Sequence, residues 1–108
     1  LSTARERSAN AAIKSDLNSA RSEAGVYSTN NFGRYTDVCS SSNGIAPILA
    51  SVEARHPATS SVSCNVSPDG REYAAATQLV GSTDYYCIDS AGVAGEQGLA
   101  LGSSTTCQ

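Results

Sequence analysis

The chain has 108 residues, which is the usual length of one domain, and a formal net charge of −3. The acidic balance argues against a nucleic-acid-binding domain, which usually carries a basic surface, and no apolar run approaches the roughly 18 residues that cross a bilayer. With one Phe, no Trp and no Met, much of the core must come from Ala and five Tyr, so we expect a thin core.

The cysteines are the clearest clue to the environment of the protein. Four of them follow a cysteine-free N-terminal region: Cys39, Cys64, Cys87 and Cys107. An even number in a short chain predicts two disulfides formed in an oxidising compartment, each contributing about 2–4 kcal/mol. Three pairings are possible, and the positions alone do not select one. Successive cysteines are 20 to 25 residues apart, unlike the close ligand pairs of a zinc site.

The first predicted element is a long helix over residues 3–27. Apolar side chains recur at helical spacing along one face, at Ile13, Leu17, Ala20, Ala24 and Tyr27. The first dozen residues contain no large apolar side chain after Leu1, so we expect this half of the helix not to pack on the rest of its own chain. It would instead project into solvent or contact a neighbouring subunit, because isolated helices of this length are marginal in water.

A connecting region, residues 28–59, contains a predicted short helix at 45–54. The apolar side chains at helical spacing are Ile45, Ile48, Leu49 and Val52. Pro47 is compatible with the first turn, where backbone N–H groups have no helical partner, and residues 55–57 end the helix. The candidate N-terminal caps are Ser42, Asn43 and Gly44.

The remaining residues, 60–108, change to a period of two. Alternation over 62–66, 73–79 and 85–89, with turn residues between them, predicts three short antiparallel strands. A fourth edge strand is expected near Val93 or at 99–101. The element order therefore predicts one α+β domain in which the long helix packs on a small antiparallel sheet, with a short second helix in the connection.

No catalytic constellation stands out, so we do not expect an enzyme, a bound cofactor or a small-molecule substrate. His56 is the only histidine, and its position before Pro57 at a helix end favours a solvated loop residue over a general base. Four carboxylates could gather around a calcium ion, but solvated turn residues are the favoured interpretation because none fits a calcium-loop pattern: Asp69, Asp84, Asp89 and Glu96.

Residues 1–17, LSTARERSANAAIKSDL, place small residues and mixed charges ahead of an Ile/Leu stripe. Over nearly its whole length the chain resembles the type IV pilins and pseudopilins, and this segment resembles the helical region that follows their membrane-spanning stretch. Residues 85–92, YYCIDSAG, resemble a late strand of small bacterial pilins, and residues 73–79, YAAATQL, resemble its partner strand. The order of helix, loop and sheet also matches the family. The leader cleavage site and the apolar start of the family's helix are not in this sequence, and we expect an export or anchoring segment ahead of Leu1.

The resemblance implies a structural subunit that is anchored in the inner membrane before assembly and then polymerises with itself or with other pilins at the cell surface. The N-terminal helix would face the filament core, and the rest of the chain, which we call the head, would face outward. Close helix approach is expected at Ala4, Ala9 and Ala12, and charge pairing with neighbours at Arg5, Glu6, Arg7 and Lys14. No nucleic-acid site is expected.

Within this family a disulfide often fastens the C-terminal tail, so we expect Cys87 to pair with Cys107. Cys39 would then pair with Cys64 and tie the connecting region to the first strand. Two rivals remain open. A type II secretion pseudopilin would have a calcium-binding loop, and a small secreted binding module would have a cleaved signal peptide instead of an apolar helix.

Overall fold

A computed structural model describes residues 2–56 and 62–108. Its elements confirm the predicted α+β fold and follow one another as α1 (Ser2–Thr29), α2 (Ala46–Ala54), β1 (Ser63–Val66), β2 (Tyr73–Gln78), β3 (Tyr85–Asp89) and β4 (Ala94–Gln97). The expected boundary at residues 59 and 60 lies outside the described residues.

The long helix α1 buries the apolar stripe that its spacing predicts. Ile13, Leu17, Ala20 and Ala24 are fully buried, and Tyr27 packs at the edge of the same cluster. The helix continues two residues beyond the predicted end. Its last turn is closed by the Asn31 side chain, which donates to the Tyr27 carbonyl at 2.8 Å, and by the Gly33 N–H, which donates to the Ser28 carbonyl at 2.7 Å. Gly33 has a φ of 77°, as is common where a helix ends.

The short helix α2 packs against α1, and Leu49 and Val52 of its predicted apolar face are buried. Its start differs from the prediction. The residue at the N-terminal cap is Ile45, and no side chain caps the helix, so the capping roles of Ser42, Asn43 and Gly44 were wrong. The Ile45 N–H instead donates to the Val38 carbonyl at 2.9 Å. Gly44 lies so close to the Val38 backbone that a Cβ there would clash.

The sheet is an antiparallel meander in the order β1-β2-β3-β4. Its three predicted strands are confirmed. The fourth, Ala94–Gln97, begins directly after Val93 and ends before residues 99–101. Successive side chains of a strand point to opposite faces of the sheet. Ala75 and its partner Ile88 therefore lie on one face, and Ala76 and its partner Cys87 lie on the other.

The front face of the sheet packs on the two helices. Its side chains join the buried residues of α1 and α2 in the main core: Tyr73, Ala75, Tyr86 and Ile88. Tyr35, from the connection, lies against the Tyr73 ring with the ring centroids 4.8 Å apart. This arrangement is the predicted packing of helix on sheet.

The back face of the sheet is also covered, which the two-layer prediction did not include. Ala74, Ala76 and Cys87 are buried there beneath Leu101 and Cys107 of the C-terminal tail, residues 98–108. Successive side chains of β2 therefore alternate between two covered faces of the sheet, and not between a buried face and an exposed one. The small alanine side chains leave room for the tail backbone to lie close to the strands.

The two disulfides lie on opposite faces of this sheet. Cys39 pairs with Cys64 on the front, and Cys87 pairs with Cys107 on the back, which is the expected pairing. No cysteine among the described residues is free. One crosslink thus fixes the connection to β1, and the other fixes the tail to β3.

Candidate assembly surface

The outward face of α1 is a stripe of small, exposed side chains. Its members lie on the side of the helix opposite to Ile13 and Leu17, and they follow helical spacing at Ala4, Ser8, Ala11, Ser15, Ser19 and Ser22. Val26, 54% exposed, extends the stripe at the C-terminal end. We call these seven residues the small-residue face. A second helix could approach closely here, because no long side chain stands between the two backbones.

The three alanines expected to permit helix approach do not share one environment. Ala4 is exposed and belongs to the small-residue face, whereas Ala9 and Ala12 are half-buried. Ala9 lines a cavity between α1, the end of α2 and the turn after β2, together with Arg5, Ala54 and Val80. Ala9 therefore faces the head of its own chain.

The four charged residues expected to meet neighbours also divide into two groups. Arg5 and Arg7 are exposed and make no ion pair or hydrogen bond with the described residues. Lys14 donates to the Glu96 carboxylate of the same chain at 2.7 Å, with the two side chains 37% and 48% exposed. Glu6 lies against Gly81, where an added Cβ would meet its carboxylate. The first two turns of the helix thus carry two exposed arginines that pair with none of the described residues.

The N-terminal half of α1 touches its own head more than the sequence predicted. The Asn10 side chain donates to the Val80 carbonyl at 3.0 Å and accepts the Val80 N–H at 2.7 Å. These paired bonds satisfy the backbone of the turn between β2 and β3. The expectation that residues 1–12 do not pack on the head was therefore wrong for Asn10 and Glu6. It was wrong because the contact uses an amide and a carboxylate, which an apolar pattern does not reveal.

The four candidate calcium ligands are scattered. Asp69 accepts from Ser67 within a turn, Glu96 pairs with Lys14, and Asp84 is exposed. Asp89 is buried, at 3% exposure, and accepts three backbone N–H groups. Within residues 2–56 and 62–108 no three histidine, cysteine or carboxylate side chains come together as a metal site.

The only histidine is not the solvated loop residue that was expected. His56 is half-buried, and its Nε2 lies 3.0 Å from the hydroxyl of Thr77, a buried residue of β2. Burial lowers the pKa of His56, and the nearby Glu53 carboxylate offsets part of this effect. Because its polar partner is a hydroxyl of the sheet, we interpret His56 as a residue that packs against β2.

The sequence contains a signal for the small-residue face that the apolar stripe alone does not reveal. The positions half a turn away from the buried stripe hold only Ala, Ser and Val from Ala4 to Val26. A search for small residues at helical spacing, made opposite the apolar stripe, would have found it. In the described part of the chain, no helix combines the length and the apolarity of a membrane span. Comparison with protein-family models, with curated proteins and with solved structures gives no match to this chain.

Proposed function

We propose that this protein is a structural subunit of a type IV pilus or a related filament, built from copies that contact one another through α1. In this proposal the helix faces the filament interior, the sheet and tail face outward, and the precursor is held in the inner membrane before assembly. In this proposal the subunit works as a structural part, without catalysis and without a cofactor. Its fold and its helix surface support the proposal, and its disulfides suit a protein that works outside the cell.

The observation that carries the proposal is the exposure of α1. The helix has 28 residues, yet none of residues 3–12 is buried, and the small-residue face continues along its outer side to Val26. The first turns of the helix gain little from packing within their own chain, whereas its later turns are held by the buried stripe at Ile13 and Leu17. Packing against copies of itself would stabilise the free turns and would use Arg5 and Arg7, which have no partner among the described residues.

A test on the full-length precursor in its producing cell separates the face from the fold. Ala11→Trp places a large side chain on the small-residue face, and Arg5→Glu/Arg7→Glu reverses the free charges. We expect each variant to lower filament yield at least about tenfold, because a misplaced ring or a like-charge contact opposes close association. Electron microscopy of sheared cell-surface material gives the yield.

The matched control is Ser103→Trp, which places the same side chain at an exposed position of the tail. It should assemble normally. Circular dichroism and disulfide mapping must show that every variant retains the fold, because Ala11, Arg5 and Arg7 are all exposed. Normal filaments from both helix variants would show that α1 is not the assembly surface.

A small secreted binding module is the second candidate, and Phe32 favours it. Phe32 is 99% exposed with a φ of 62°, so the backbone holds an aromatic side chain in water in a conformation that bulky residues rarely adopt. A binding module would use this end of the molecule and would leave α1 uncovered. Hydrogen exchange of α1 amides in the assembled and the free protein distinguishes the two, since only a filament subunit gains protection at residues 3–12.

A further inference from the structure

The C-terminal tail is attached to the back face of the sheet through its backbone. Asn65 of β1 donates to the Gly102 and Ser104 carbonyls at 2.8 and 2.9 Å. Gln97 of β4 accepts the Gln108 N–H at 2.9 Å. Only Leu101 of the tail is buried as an apolar side chain. These hydrogen bonds fix the position of the tail on the sheet in addition to its disulfide, and we call this set of contacts the seat of the tail.

Asp89 is the part of this seat that lies beside the disulfide. It stands two residues after Cys87 in β3, so both side chains point to the back face. Its Oδ2 accepts the backbone N–H of Cys107 at 2.8 Å, while its Oδ1 accepts the N–H groups of Ala91 and Val93 at 3.0 Å each. One buried carboxylate thus organises the turn after β3 and holds the backbone of the other disulfide partner.

We propose that Asp89 positions Cys107 for disulfide formation with Cys87, so that the tail seats on the sheet before the bond closes. A hydrogen bond from an N–H to a charged acceptor is stronger than a neutral one, and here it acts on the very residue that must reach Cys87. Seating by Asp89, Asn65 and Gln97 raises the effective concentration of the Cys107 thiol at Cys87. It also favours this pairing over a bond between Cys107 and Cys39 or Cys64, which lie on the front of the sheet.

The chemical step is an ordinary thiol–disulfide exchange with a small disulfide oxidant such as oxidised glutathione. The thiolate of Cys87 attacks the oxidant, forms a mixed disulfide and releases one glutathione thiolate. The thiolate of Cys107 then attacks the Cys87 sulfur, closes the bond and releases the second glutathione thiolate. Two protein thiols are oxidised and one glutathione disulfide is reduced.

Asp89→Asn is a sharp test because it changes one oxygen. The amide oxygen can keep the two bonds at Oδ1, but the amide NH₂ replaces Oδ2 and faces the Cys107 N–H, donor against donor. In glutathione redox buffers we expect the effective concentration for Cys87–Cys107 closure to fall about tenfold, as loss of a charge-assisted bond implies. The Cys39–Cys64 bond of the same molecule is the internal control and should be unchanged. Asp84→Asn, at an exposed carboxylate without a hydrogen bond to the described residues, should match the wild type.

A second measurement does not depend on oxidative folding. In Cys87→Ser/Cys107→Ser the tail has no crosslink, and we expect the amides of residues 107 and 108 to remain protected from hydrogen exchange. Adding Asp89→Asn should remove the protection at residue 107 while Val93 keeps its own. An unprotected tail in the double serine variant would show that the disulfide holds the tail and would overturn the proposal. Equal closure of Cys87–Cys107 in Asp89→Asn and wild type would overturn it as well.

Discussion

The two faces of the sheet are covered in different ways. The front face meets helices whose buried side chains are apolar, such as Ile13 and Leu17. The back face meets a tail without helix or strand, held by Asn65, Asp89 and Gln97, one buried leucine and a disulfide. Apolar burial is non-directional and tolerates small shifts, whereas the hydrogen bonds on the back require particular atoms in particular places. Because the front buries the larger set of apolar side chains, we expect it to supply most of the stability, whereas the attachment of the back depends on the exact positions of its hydrogen-bonding atoms.

Truncating the front core should have the largest effect. Leu17→Ala removes a fully buried side chain between α1 and the sheet, and we expect the free energy of unfolding to fall by about 2–5 kcal/mol. Urea unfolding of the oxidised protein measures it. Ser19→Ala, on the outer side of the same helix, should change the value little. A loss for Leu17→Ala no larger than that of the control would mean that the helix is not the main cover.

Removing hydrogen bonds between the tail and the sheet should lower the free energy of unfolding by less, and the effect should be confined to the tail. Asn65→Ala removes two hydrogen bonds to tail carbonyls, and we expect a loss of about 1–2 kcal/mol. Amide exchange should quicken at Cys107 but not in α1. Asn43→Ala is the control, because Asn43 is exposed and its side chain bonds to none of the described residues. Uniformly faster exchange in both regions would contradict the separation of the two faces.

The front core contains one polar atom whose removal should be harmless. The Tyr73 hydroxyl is buried and has no hydrogen-bond partner among the described residues, and burial raises the pKa of Tyr73 well above its ordinary value. We expect Tyr73→Phe to be neutral or to stabilise by up to about 1 kcal/mol, because it removes an unsatisfied group. Tyr27→Phe is the matched variant. It loses a bond to the Thr36 carbonyl, 2.6 Å long, and should destabilise. The reverse order in thermal unfolding would refute this account.

The smallest expected effect is a pH dependence at His56. Burial lowers its pKa, so folding favours the neutral imidazole. The stability that follows is present above the ordinary histidine pKa of about 6.5 and is lost as the pH falls through the lower pKa of the folded state. The unfolding midpoint of the wild type should therefore drop more between pH 7 and pH 5 than that of His56→Gln. Parallel pH profiles for the two proteins would exclude a role for this residue.

The part of the fold that follows apolar periodicity was predictable. The buried stripe of α1, the buried face of α2 and the first three strands all lie where spacing placed them. The exceptions share a cause. Asn10, His56 and Asp89 make contacts through polar atoms, whose partners are backbone groups or a hydroxyl far away in the chain. No local pattern encodes such partners, because any exposed polar residue looks the same in sequence.

The assembly surface was predictable only in part. The sequence indicated that the N-terminal half of α1 is poorly buried, and residues 3–12 bear this out. It did not separate Arg5 and Arg7 from Glu6 and Lys14, because that difference depends on where Gly81 and Glu96 fold back against the helix. The covering of the back face was missed because Ala74 and Ala76 fit an exposed face as well as a closely covered one.

The placement of the two disulfides determines how the molecule would respond to a pulling force. Neither bridge includes a residue of α1, and together they close loops that span 25 and 20 residue separations. At about 3.4 Å per extended residue, roughly 150 Å of contour length is withheld from stretching by covalent bonds. A load applied through the helix would therefore have to peel it from the sheet, while most of the connection and the tail stay inextensible. The two bridges therefore limit how far the chain can extend under load, because only the residues outside the two loops can be drawn out.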